Sequence, residues 1–279
     1  MTYREAYQRG RELLKSSLVS DADIDSKLLL QYVCKTDSSA LFAAPDYVLT
    51  AGEEDTYFEL IIQRSNHVPL QHLTGIQGFM GLDFCVNKNV LIPRSDTETL
   101  VEEVLKNLHD GMRILDMCTG SGCILISLLH YSNDCEGVGA DLSPKALEVA
   151  KINAEKNNVE AFFIESDLFE NIEGKFDIIV SNPPYIKTSE ISGLMPEVRD
   201  FDPLIALDGK EDGLSFYRRI LEEGSEYLKE GGMLFFEIGE DQGESVSRMM
   251  KERGFLGVEV IKDLCGNDRV VSGRKRINV

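Results

Sequence analysis

From Gly111 to the end of the chain, short apolar runs alternate with longer stretches of helical period, and that alternation leaves few folds open. Runs rich in aliphatic and β-branched residues at 112–117, 137–140, 161–164, 175–180 and 232–238 read as buried strands. Between them, 122–130, a segment capped by Ser143 with Pro144 at its first position, 214–229 and 242–253 read as helices. Strands separated by helices run parallel, because a crossover returns the chain to the sheet in the same direction. The pattern predicts an α/β, doubly wound sheet. Two last runs, 255–261 and 269–273, are joined by a short link and predict an antiparallel pair, hence an antiparallel edge strand.

In such a sheet, ligands sit at the carboxyl ends of the strands. Four of those ends carry polar residues. The first reads Asp116-Met117-Cys118-Thr119-Gly120-Ser121-Gly122. Gly120 and Gly122 permit a tight turn and close backbone approach to a ligand. As a dinucleotide fingerprint the stretch is defective, since Leu125 holds the third glycine position. Asp116 suits an ammonium or sulfonium better than a phosphate. The second end carries Asp141-Leu142, about 20 residues on, where an acid commonly bonds ribose hydroxyls. At the third, Asp167 can accept from an adenine amino group while Leu168 packs on the ring. The fourth is Asn182-Pro183-Pro184-Tyr185. The prolines cannot donate to a ladder and stiffen the backbone. A fixed amide oxygen with prolyl carbonyls beside it, and no cation, can hold the two N–H bonds of a neutral NH2 group. A single acid at a strand end is commonly a solvated cap, and Pro-Pro after a strand is commonly a turn; the four together, in this order, are more specific.

The remaining chain supplies context. Residues 1–73 read as helices, with Ile24, Leu28, Leu29 and Val33 at helical spacing and a Thr50–Glu53 capping box. Residues 79–92 predict a β-hairpin, and Ser95 with Glu98 predicts a capped helix to 107. The expected domains are a helical bundle over 1–75, a hairpin linker over 76–92 and a catalytic domain over 93–279. The connection at 186–213 is long enough to expect a functional loop. With 48 acidic and 29 basic residues, the formal charge is −19, which argues against charge-driven binding to nucleic acid or an anionic membrane. No apolar run reaches the roughly 18 residues of a membrane span. Six cysteines and four histidines show no metal-ligand spacing, and the cysteines suggest a reducing, cytoplasmic setting.

The order from Asp116 to Asn182 resembles the class I S-adenosylmethionine-dependent methyltransferases, and Asn-Pro-Pro-Tyr resembles those that methylate planar amino groups. Four further stretches narrow the resemblance. Pro-Leu-Gln-His-Leu-Thr-Gly at 69–75, Leu-Ile-Pro-Arg-Ser-Asp-Thr-Glu at 91–98, Glu-Asp-Gly-Leu-Ser-Phe-Tyr-Arg at 211–218 and Asn-Asp-Arg-Val-Val at 267–271 are similar to the peptide chain release factor glutamine methyltransferases. The likeness covers nearly the whole chain. Ser95, where the family usually has proline, and Lys210, where glycine is common, depart from it.

That resemblance implies a Rossmann-like methyltransferase sheet and an enzyme that methylates the glutamine of a Gly-Gly-Gln loop on release factors 1 and 2, yielding N5-methylglutamine. S-adenosylmethionine becomes S-adenosylhomocysteine. It implies cofactor contacts at Asp116, Thr119, Gly120, Gly122, Asp141, Leu142, Asp167, Leu168 and Asn182. Asn182 and the Pro183 carbonyl would accept the glutamine N–H bonds, with Phe79, Pro184 and Tyr185 as its wall. The bundle would dock the release factor. The expectation is a monomer with no metal, no stable nucleic-acid partner and no membrane. The weighed alternatives are an amino-methyltransferase acting on a flipped nucleic-acid base and a non-catalytic cofactor-binding module.

Overall fold

The computed structural model describes residues 1–277, apart from the side chain of Phe42. They form two compact units: Met1–Ile76 with Met195–Phe201, and Gln77–Leu194 with the described residues from Asp202 on.

The first unit contains α1 (Tyr3–Ser16), α2 (Ala22–Cys34), α3 (Ser38–Ala43), α4 (Ala51–Ser65) and α5 (Leu70–Thr74). The expected capping box forms at α4: Thr50 Oγ1 accepts from the Glu53 N–H and Glu53 Oε2 accepts from the Thr50 N–H. The apolar face of α2 is not the one its spacing suggested. Leu29 and Leu30 are buried, whereas Ile24 is 58% and Leu28 40% exposed. The buried face also takes Asp25 and Ser26, because both find polar partners there. Asp25 accepts from Arg64 Nε at 2.6 Å, and the Ser26 carbonyl accepts from the Tyr57 hydroxyl at 3.1 Å. Gly10, in the middle of α1, lets Tyr57 in: a Cβ there would stand 2.1 Å from its hydroxyl oxygen.

The second unit opens with β1 (Ile76–Phe79) and β2 (Leu82–Cys85), which pair as a two-stranded sheet. This hairpin closes earlier than the sequence suggested. Met80 and Gly81 both adopt positive φ, at 49° and 72°, which makes a two-residue turn matched to strand twist. Residues 86–92 are consequently not a strand. Val86 and Val90 pack instead on Ala146 and Val149. A 3-10 turn at Ser95–Thr97 leads into α6 (Glu98–Leu105). The capping box expected of Ser95 and Glu98 does not form, because Glu98 Oε1 accepts from the Met80 N–H at 2.6 Å.

Then follow β3 (Arg113–Met117), α7 (Cys123–His130), β4 (Glu136–Asp141), α8 (Pro144–Lys156), β5 (Phe162–Glu165) and β6 (Phe176–Ser181). The long connection holds a 3-10 turn and two one-turn helices, α9 (Pro196–Arg199), which belongs to the first unit, and α10 (Leu204–Leu207). The unit ends with α11 (Ser215–Tyr227), β7 (Leu228–Glu237), α12 (Gly243–Glu252), β8 (Leu256–Lys262) and β9 (Asp268–Arg274). The seven-stranded sheet has the order β5-β4-β3-β6-β7-β9-β8. Its strands from β5 to β7 are parallel, while β9 runs antiparallel to both β7 and β8. The chain proceeds outward from β3 to β5, then resumes at β6 on the other side of β3. That reversal opens a crevice between the carboxyl ends of β3 and β6. Register brings the ends level, with Met117 beside both Ala140 and Ser181.

Candidate active site

Beyond Met117 the chain turns sharply into α7. Cys118, Gly120 and Gly122 take positive φ values of 64°, 56° and 78°. The two glycines do different jobs. A Cβ on Gly122 would come within 2.9 Å of Ile126 and 3.2 Å of Ala150, so it lets helices close up. A Cβ on Gly120 would meet nothing within 4 Å, so the backbone there faces open space. The Gly120 N–H donates to Asp141 Oδ2 at 2.9 Å, and the Ser143 N–H to Asp141 Oδ1 at 2.8 Å. The turn after β3 and the end of β4 are thereby tied together. Burial still raises the pKa of Asp141 against those two bonds.

Asp116 is fully buried beneath this turn. One oxygen accepts from the Thr119 hydroxyl at 2.5 Å, and the other has no hydrogen-bond partner. Burial pushes its pKa from 3.8 up to about 7, against the Thr119 bond and the nearby Leu125 N–H. Cys118 and Cys123 are neutral thiols, since burial raises both, Cys123 to about 12.

Asn182 follows the last residue of β6. Ser181 Oγ donates to the Met117 carbonyl at 2.7 Å and locks the two strand ends. Asn182 Nδ2 donates to Thr97 Oγ1 at 3.4 Å. The Tyr185 hydroxyl meets Glu237 Oε1 at 3.4 Å, and the Tyr185 carbonyl accepts from Gln242 Nε2 at 3.0 Å. Gly209 and Gly213 make this possible, because a Cβ on either would lie within 2.7 Å of the Tyr185 backbone. Glu237 is buried, with its pKa pushed up to about 7 by burial.

One cavity unites much of the expected set: Thr119, Gly120, Asp141, Leu142, Asp167, Leu168, Asn182 and Pro184 all line it. Asp116 and Gly122 lie behind its wall, and Tyr185 lines a neighbouring cleft with Gln242 and Arg269. Phe79 is not brought to it. The ring is 2% exposed and sits edge-on to Phe84 in the core. Asp167, expected to await an amino group, accepts from Arg219 Nη2 at 2.9 Å. The cavity also takes walls the sequence did not reveal: Val90, Arg94 and Thr97 ahead of the sheet, and Pro203, Ile205 and Phe216 from around the long connection. Arg94, the cation of this wall, is held by Asp202 at 2.6 Å and Asp167 by Arg219, so Asp141 is the charge that these ion pairs leave over.

Two family models match the chain. The methyltransferase small domain covers residues 94–196, and the PrmC N-terminal domain covers residues 5–75. The release factor glutamine methyltransferase of Clostridium acetobutylicum is 43% identical over 97% of this chain and 98% of its own length. This chain belongs to the release factor glutamine methyltransferase family. That of Clostridium botulinum is 40% identical over 99% of this chain and all of its own length. A methyltransferase structure from Pyrococcus furiosus overlays with a TM-score of 0.53 at 21% identity, over 71% of this chain and 90% of that one, and shares the fold. The release factor glutamine methyltransferase fold therefore accounts for both the helical unit and the sheet, and the protein is a methyltransferase. Among the described residues, no helix is long and apolar enough to cross a membrane.

Proposed function

We propose that this protein transfers a methyl group from S-adenosylmethionine to the side-chain nitrogen of the glutamine in the Gly-Gly-Gln loop of release factors 1 and 2, acting as a cytoplasmic monomer. The observation that carries this reading is Asn182, set on a stiff Pro-Pro backbone at the switch point of a sheet whose sequence is related end to end to release factor glutamine methyltransferases.

The cavity suits the cofactor on its own chemistry. Its acidic wall, the unpartnered oxygen of buried Asp116 and the open face of Gly120 favour a ligand that is positively charged and lies close to the backbone. Asp116, Thr119, Gly120 and Gly122 would shape the turn that holds it. Asp141 and Leu142 would meet the ribose, and Asp167 and Leu168 the base. When bound, S-adenosylmethionine supplies an electrophilic methyl group.

The chain's own residues would prepare the nucleophile. An amide nitrogen attacks poorly because its lone pair is delocalised. Asn182 Oδ1 and the Pro183 carbonyl would accept its two N–H bonds, raising electron density on nitrogen and fixing the line of attack. Pro184 and Tyr185 would form the apolar wall. No strong base is needed beforehand, since the proton leaves readily once nitrogen is alkylated. Residues 1–75 would act as the docking domain, 76–92 as the linker and 93–279 as the catalytic domain. The exposed stripe of Ile24, Leu28 and Tyr32 on α2 supports docking of a protein on the bundle.

Incubation with an unmodified release factor and S-adenosylmethionine tests this. The expected result is a gain of one methyl on the Gly-Gly-Gln glutamine, read from the mass of that peptide. Methylation of a nucleic-acid base instead, or cofactor binding with no transfer, would overturn it.

A further inference from the structure

Helix α8 packs on two walls of the cavity. Gly120 and Ser121, in the turn after β3, belong to one wall; Asn89, Val90 and Arg94, in the segment that follows β2, belong to the other. Ala146 and Val149 of α8 pack against Val86 and Val90. On the turn side, a Cβ on Gly122 would stand 3.2 Å from the Cβ of Ala150. These apolar contacts set how near each wall lies to the helix. They do not set the direction in which a backbone carbonyl points. Asn153, one turn beyond Ala150, does.

Asn153 is fully buried, and its amide uses both hydrogens. Nδ2 donates to the Ser121 carbonyl at 2.9 Å and to the Cys85 carbonyl at 3.0 Å, while Oδ1 accepts from the Cys85 N–H at 2.6 Å. Two carbonyls can be met only by the NH2 end, so the amide has one orientation. The Ser121 carbonyl needs such a partner. It lies just ahead of α7, whose first bond runs from the Ile126 N–H to the Gly122 carbonyl at 2.9 Å. A buried carbonyl left without a donor is costly. The peptide joining Ser121 to Gly122 is thereby held at both ends: its carbonyl by Asn153, its N–H by the Thr119 carbonyl at 2.8 Å. Gly122 sits at φ 78°, and glycine takes either sign of φ, so without those bonds this peptide is free to turn over.

We propose that Asn153 is a positioning residue for the cofactor: by fixing the Ser121 carbonyl and both backbone polar groups of Cys85, it holds the glycine turn in the form that leaves Gly120 open to the ligand. This rests on the S-adenosylmethionine reading above. Asn153 stands behind the cavity wall and acts through Ser121. Asn157, one turn further along α8, supplies the comparison. Its Nδ2 donates to the Asp83 carbonyl at 3.1 Å, so it ties the helix to the same strand, β2. Its other hydrogen goes to the Asn153 carbonyl at 2.9 Å, which leaves none for the turn.

The test is calorimetric titration of S-adenosylhomocysteine into the wild type, Asn153→Leu and Asn157→Ala, with thermal unfolding and the KM for a release factor measured on each. Leucine is close to asparagine in size and makes none of the three bonds. Well below its unfolding temperature, Asn153→Leu should bind about tenfold more weakly, the equivalent of roughly one hydrogen bond, with the release-factor KM close to wild type. Asn157→Ala should bind as the wild type does. A merely structural asparagine moves the unfolding temperature and leaves the affinity of the folded protein alone, so wild-type affinity in Asn153→Leu overturns the inference. An equal loss in Asn157→Ala also overturns it, since the effect would then come from β2 and not from the turn. If Asn153→Leu does not fold, amide hydrogen exchange on the wild type decides, read residue by residue by NMR. S-adenosylhomocysteine should slow exchange at both Gly122 and Cys85, and by more than along β9; slowing at Gly122 without Cys85 overturns the inference. A wild type that does not bind S-adenosylhomocysteine would mean that the cofactor reading has failed, not the role of Asn153.

Discussion

The helical unit and the sheet unit treat buried carboxylates in opposite ways. In the bundle, Asp25 faces Arg64 at 2.6 Å, and the same guanidinium is held by Glu197 at 3.1 Å and by the Val68 carbonyl. Burial raises the Asp25 pKa and Arg64 opposes it. That charge is spent entirely inside the protein. In the sheet unit, Asp116 and Glu237 are each buried with one oxygen bare, and both are pushed up to about 7. A buried acceptor without a partner costs about 1–3 kcal/mol. Folding alone gives no reason to keep two of them at the end of one sheet. The contrast separates a carboxylate that holds a bundle together from carboxylates kept for a ligand or a catalytic side chain.

The sharpest way to break the comparison is at the site itself. Asn182→Ala should lower transfer by about 10²–10³-fold, as loss of a single preorganised group does elsewhere. Thermal unfolding should be unchanged, since Asn182 makes one long side-chain bond. Near wild-type turnover would remove the mechanism. The bundle should answer in the other currency. Arg64→Ala strands buried Asp25 and leaves half-buried Glu197 with His67, and should cost about 3–5 kcal/mol in denaturant unfolding. A loss below about 1 kcal/mol would mean water reaches the pair. Gly10→Ala should cost about 1–3 kcal/mol by forcing Tyr57 away, despite alanine's better helix propensity. If this variant is instead more stable, Tyr57 has room that its contact with Gly10 denies.

The same contrast explains what could be read beforehand. The sheet's alternation, the Ser143–Pro144 start of α8, the Thr50–Glu53 box and the polar strand ends are local patterns, and each is carried by residues a few positions apart. What escaped is non-local. Glu98 abandons a capping role for Met80, Gln242 reaches back to Tyr185, and Thr97 and Glu237 meet Asn182 and Tyr185 from distant segments. The buried face of α2 departs from its apolar spacing because polar Asp25 and Ser26 outcompete Ile24 and Leu28 for the interior once Arg64 and Tyr57 are there to satisfy them. Glycines at 10, 209 and 213 carried a signal, but only the partner ring or backbone shows what it was for.

The smallest effect tests whether the bare oxygen of Asp116 faces function or is merely tolerated. Its folded pKa of about 7 exceeds the ordinary 3.8, so the free protein holds the proton more tightly than the unfolded chain. The stability this contributes is full below about pH 4 and is lost as pH rises through about 7. Asp116→Asn cannot ionise, and its unfolding free energy should decline less across that window. A positively charged ligand demands the opposite. It prefers the carboxylate, so its affinity should grow with pH up to about 7, by at most about tenfold per unit. Asp116→Asn should flatten that rise as well. Calorimetric titration of S-adenosylmethionine between pH 5.5 and 8, on both proteins, reads the two slopes together. Opposite slopes in the wild type, both weakened by the substitution, identify Asp116 as a charge held at the expense of stability for a cationic ligand. An affinity that ignores pH would make it no more than a partner for Thr119, and the difference between the two units would then rest on Glu237 alone.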